Sequence, residues 1–133
     1  MGEPVFLALL TADRVIVEKN DKKGIIGTFN RLASSKFPAR FPPWWIYASV
    51  TNLVGTHSFT LFIADDDSGK RIFSATGNVE IQSVSQVVEL TIPVAKCTFP
   101  DAGSYTVLFE LDTDQVGARI LKVDRLISSP TPD

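Results

Sequence analysis

Phe99-Pro100-Asp101-Ala102-Gly103-Ser104-Tyr105-Thr106-Val107 is the stretch that decides the fold. Pro presets a turn's φ, Asp bonds to its own backbone, and Gly accepts conformations that other residues resist, so the three together make a turn. The turn runs directly into a period-two pattern, with Tyr105, Val107, Phe109 and Leu111 alternating against Thr106, Leu108, Glu110 and Asp112. Such alternation marks a half-buried strand. A Tyr at the first inward position, with a hydroxyl able to reach the backbone upstream, is the tyrosine corner of a two-sheet sandwich. Asp101, Gly103 and Tyr105 therefore read as a structural corner.

The same chemistry extends along the chain. Val88, Leu90, Ile92 and Val94 repeat with period two, the cleanest half-buried strand outside the corner. Strand signals also cover Val5 to Glu18 with a kink, Ile25 to Leu32, Trp44 to Leu53, Ser58 to Ala64, Arg71 to Ala75, Val79 to Ile81 and Ala118 to Val123. Asn20 to Gly24 and Asp65 to Lys70 are hairpin tips, and Gly77 interrupts its run and suggests a bulge or a bend into Val79 to Ile81. Ser34 to Pro43 holds three prolines and reads as a loop or edge, because proline removes a ladder donor. The best helix candidate, Phe29 to Ser35, is short. Seven to nine strands about ten residues apart imply an antiparallel sandwich, with a small barrel as the other architecture such patterns allow. One domain is expected over residues 1–127, with 128–133 a frayed tail.

Three blocks carry a resemblance: Gly24-Ile25-Ile26-Gly27-Thr28-Phe29, the pairs Phe37-Pro38 and Phe41-Pro42, and Phe99 to Tyr105. In these the chain resembles a bacterial family of small uncharacterised proteins with an immunoglobulin-like sandwich, over roughly Ala12 to Val123. The resemblance implies the fold and no chemistry. Val107 stands where antibody domains carry a core Cys, so packing alone is expected to join the sheets.

Composition narrows the function classes. The 133 residues include 13 basic and 15 acidic side chains, a formal net charge of -2, which gives no electrostatic case for nucleic-acid binding. Cys97 is the only cysteine, so neither an intrachain disulfide nor a cysteine metal cluster can form, and a reducing cytoplasm is expected. Val5 to Leu10 is too short to cross a bilayer. His57 reads as a turn residue with neither a nucleophile nor a carboxylate partner in its sequence surroundings. Asp65-Asp66-Asp67 lacks the alternating spacing of a calcium loop and reads as a solvated tip. Cys97, beside Lys96, reads as a small inert residue near a sheet edge rather than an activated thiol. Gly24 and Gly27 do not have phosphate-loop spacing. No catalytic, metal-ligating or cofactor-binding residue is assigned, and no cofactor is expected.

Phe37-Pro38-Ala39-Arg40-Phe41-Pro42-Pro43-Trp44-Trp45 is the most functional-looking stretch, since aromatics and Arg are enriched at binding hot spots and prolines stiffen a loop. Phe37, Arg40, Phe41 and Trp44 are the candidate partner-binding residues. Successive strand residues face opposite sides, so only one of Trp44 and Trp45 is expected in the core, as a counterpart of the buried Trp of immunoglobulin domains. The expected product is an all-β, immunoglobulin-like antiparallel sandwich acting as a non-catalytic protein-interaction or structural module. It engages a protein partner or a second copy of itself, without nucleic acid or membrane. The alternative is a small-ligand or carbohydrate-binding module using exposed aromatics; an enzyme ranks last.

Overall fold

The computed structural model describes residues 3–127, and all its regular elements there are strands. They are β1 (Val5–Val17), β2 (Lys23–Phe29), β3 (Arg31–Ser34), β4 (Ala39–Arg40), β5 (Trp44–Thr51), β6 (Gly55–Asp65), β7 (Arg71–Ile81), β8 (Val88–Val94), β9 (Thr98–Phe99), β10 (Gly103–Leu111) and β11 (Asp114–Arg125). The segment 128–133, read as a tail, lies outside the described residues. No helix in the described chain is long and apolar enough to cross a membrane.

Four strands form one sheet in the order β2-β1-β5-β8, five form another in the order β3-β11-β10-β6-β7, and β4 pairs with β9. The alternation read from sequence supplies the core between the two large sheets. Leu9, Ile46, Ala48, Val50 and Leu90 face Leu61, Ile63, Val107, Phe109 and Leu121 across it. Burying each of the larger side chains among them contributes about 1.5–3 kcal/mol, and no disulfide joins the layers. Nine strands have four residues or more, within the range read from sequence, and the two-residue pair β4–β9 is additional.

Several local expectations are corrected. The Ile25–Leu32 run is two strands, because the chain leaves its sheet at Asn30 and changes sheets, so β3 pairs with β11, the one parallel pairing among the described residues. That same crossover occupies the segment proposed as a short helix. Gly77 makes no bulge: β7 runs through it in register with Phe59, and a Cβ there would stand 2.7 Å from the Phe59 ring. Its lack of a side chain is what lets that ring lie flat. Gly27 has φ +71°, and a Cβ there would meet the Asp13 carboxylate at 2.4 Å. Only glycine fits both demands. Lys23, on β2, reaches to 3.9 Å from Glu89 on the far edge strand β8, so the β1–β2 hairpin folds across the outer face of its sheet. That covering explains why Tyr47 and Ser49, outward by alternation, are buried.

Candidate functional site

The strand registers set two ends to the sandwich. Trp44, Val94, Asp65 and Tyr105 lie toward one; Thr51, Val88, Phe59 and Leu111 lie toward the other. The stretches singled out in the sequence fall at the first end.

There, Tyr105 is fully buried and its hydroxyl donates to the Asp101 carbonyl at 2.6 Å. Asp101 also accepts from Arg125 Nη2 at 2.9 Å, and the Arg125 guanidinium lies 4.7 Å from the centre of the Phe37 ring. Phe41 meets Phe99 edge-on at 5.6 Å, and Phe99 meets Tyr105 edge-on at 4.9 Å. Such edge-to-face pairs add about 0.5–1.5 kcal/mol beyond their buried area. The β4–β9 pair ties the loop down, and Arg40 Nε donates to Thr98 Oγ1 at 3.0 Å. Trp44 is in the core, edge-on to Phe29 at 5.3 Å, so it offers no surface to a partner. It belongs to the β2-β1-β5-β8 sheet, opposite the one that holds β10. Phe37 and Phe41 are half-buried and packed against the core; of the four candidates only Arg40 is exposed. The aromatic loop is thus a cap, because its rings find more apolar surface on the sandwich than in solvent.

The aspartate tip at this end is also internally committed. Asp66 accepts from the hydroxyls of Ser104 at 2.7 Å and Thr106 at 2.6 Å, which pins the β6–β7 turn to β10. Among the described residues, no three His, Cys, Asp or Glu groups are grouped to hold a metal ion. Cys97, just past the edge strand β8, is buried in the core, and burial pushes its thiol up to about 12, far from thiolate chemistry.

The opposite end holds what the sequence did not reveal. His57 Nδ1 lies 2.5 Å from Asp112 Oδ2, and Nε2 lies 2.9 Å from the Val54 carbonyl. Asp112 Oδ1 accepts the Ser58 backbone N–H at 3.0 Å, and its own N–H donates to the Ser58 carbonyl at 2.9 Å. Those bonds hold the two-residue β10–β11 turn, in which Asp112 and Thr113 both take positive φ, +50° and +74°. Hairpin turns of this hand normally use Asn-Gly, and a β-branched Thr there is strained. The reading of His57 without a carboxylate partner is therefore corrected; Asp112 stands 55 positions away and no spacing rule connects them. Both ring nitrogens face oxygen acceptors, so the imidazolium is the form that satisfies them. The Asp112 contact, followed by the Val54 carbonyl, raises the His57 pKa above its ordinary 6.5, and His57 in turn holds Asp112 below 3.8.

Beside this pair opens a cleft of about 310 Å³. Leu53, Val54, Val84, Leu111 and Val116 form its apolar lining, with Glu3, Asp112 and Asp114 also at its walls. A second hollow of about 420 Å³ shares Glu3, Pro4, Asp114 and Val116, so the two form one groove. The walls are set by hydrogen bonds: Asn52 Nδ2 donates to the Glu3 carbonyl at 2.8 Å, and the Asn52 N–H to the Val84 carbonyl at 3.1 Å. Val54 and Val84 are about half exposed, 46% and 56%, at its mouth.

Over residues 7–124 the chain matches the family model described as "Family of unknown function (DUF6941)". No curated protein matches the chain.

Proposed function

The chain belongs to this family of unknown function, and we propose that it is a non-catalytic protein-interaction module whose contact surface is the open end of the sandwich. One observation carries the reading: the preformed apolar cleft between Leu53, Val54, Val84 and Val116 lies at the end the aromatic loop leaves uncapped. Concave, largely apolar, pre-organised sites are where binding costs least ordering. The His57–Asp112 pair beside it supports a binding role over a catalytic one. A general base needs a free lone pair within reach of substrate, and both His57 nitrogens are engaged within the fold. Stacking of a sugar needs an open aromatic face; Trp44 lies in the core and Trp45 is half-buried, so neither presents a fully open one.

The sandwich is of immunoglobulin-like type on this reading, supported by the tyrosine corner and by the way β5 to β6 and β7 to β8 cross between sheets. A single buried Cys97 fits the reducing cytoplasm of a bacterial cell. Peptides selected by display against the intact chain test the assignment of the surface. Titrated into the labelled protein, they should shift the resonances of Val54, Val84 and Val116. Shifts confined to Phe37–Trp45 would return the contact site to the aromatic loop.

A further inference from the structure

The chemistry of the occupant follows from the charges around the cleft. Its floor is aliphatic, and every charged residue on its walls is acidic except His57: Glu3, Asp112 and Asp114 contribute carboxylates and no Lys or Arg lines it. Asp112 is already opposed by His57. Among the described residues, Glu3 and Asp114 enter no ion pair, although the chain forms such pairs elsewhere, as at Arg31–Asp124 and Arg125–Asp101. A carboxylate brought into this groove would meet two uncompensated carboxylates at close range. A cation there would meet two acceptors that no described side chain satisfies.

Resting on the proposed function, we infer that the occupant is a segment of a partner protein that places an aliphatic side chain in the cleft and a Lys or Arg between Glu3 and Asp114. The aliphatic part displaces water from Leu53, Leu111 and Val116, and the cation selects the partner by sign. A second copy of this chain does not fit the same description. A twofold contact sets each patch against itself, so Glu3 and Asp114 of both copies would face one another.

The probes are three capped tetrapeptides, acetyl-Leu-Xaa-Leu-Xaa-amide with Lys, Ser or Glu as Xaa, titrated into methyl-labelled full-length protein. The Lys peptide should shift the methyls of Val54, Val84, Leu111 and Val116 at a concentration about tenfold below that of the Glu peptide. Raising the ionic strength should shrink that gap. In the double variant Glu3→Gln, Asp114→Asn, the gap should fall to within about twofold; both sites are exposed and outside the core. Equal shifts from all three peptides would overturn the cationic occupant and leave the cleft a binding site. No shift at these methyls from any peptide would overturn both the occupant and the cleft. Methyl shifts that follow protein concentration alone would assign the cleft to a second copy, overturning the inference. If the double variant fails to fold, the salt dependence decides: a gap unmoved by ionic strength would contradict a charge-selected partner.

Discussion

At the corner end, Phe41, Phe99 and Tyr105 stack edge to face beneath a loop held by the β4–β9 pair. At the opposite end, Leu111 and Val116 line a cleft that the described chain leaves open. Turns of the same two sheets cross both ends, yet one end consumes its aromatic residues in packing and the other lines its cleft with aliphatic ones. The contrast shows that residue type alone is a poor guide to which apolar side chains the fold leaves accessible. Large rings carry more apolar area, so at the corner end the fold claims them, while Val54 and Val84 stay about half exposed at the mouth of the opposite cleft.

The largest effect that would sharpen this comparison is at the corner. Phe99 is fully buried between Phe41 and Tyr105, so Phe99→Ala should cost about 3–5 kcal/mol in equilibrium unfolding. A loss under about 1 kcal/mol would mean the cap does not hold that end. Next, Tyr105→Phe removes the hydroxyl that donates to Asp101 and should cost about 1–2 kcal/mol. An unchanged urea midpoint would break the corner argument.

At the open end the expected effects are smaller and depend on pH. His57 has a raised pKa, so the stability it contributes is complete below 6.5 and is lost as pH rises through the folded-state value. Asp112 has a lowered pKa, so its contribution is present above 3.8 and is lost as pH falls through its folded-state value. The pair therefore stabilises the β10–β11 turn most between those two limits. Because Asp112 is half exposed, solvent screening keeps the effect below about 1 kcal/mol. His57→Gln should flatten the alkaline decline in urea midpoint while leaving the fold intact. A variant as pH-dependent as the parent between pH 6 and pH 9 would show that the pair does not set it.

Much of the sandwich was legible in the chain because it rests on local rules. The corner turn at Pro100–Gly103, the alternation of Val88 to Val94 and the tip at Asp65–Lys70 are each contained in a few residues. What escaped depends on which distant residues meet. The sheet switch at Asn30 follows from where β11 lies, and Gly77 serves the Phe59 ring on the neighbouring strand. Trp44 and Trp45 could be told apart only once the inward face of β5 was known. The open-end site escaped for the same reason: Glu3, the Asn52–His57 stretch, Val84 and Asp112 come from four separate segments. The Asp112–Thr113 turn carries no glycine to announce it, since bonds from His57 and Ser58 hold its backbone instead.

The assignment of contact to the open end is tested most directly by the affinity of a display-selected peptide for three proteins: the parent chain, Val84→Asp, and Arg40→Ala with Phe41→Ala. Val84 is exposed, so its substitution should leave the melting temperature within the range of a surface change, about ±0.5 kcal/mol. Peptide affinity should nevertheless fall at least about tenfold, as for a charge set into an apolar contact. The loop variant, compared per folded molecule, should bind within about twofold of the parent. The reverse result, with binding lost in the loop variant and kept in Val84→Asp, would contradict the account.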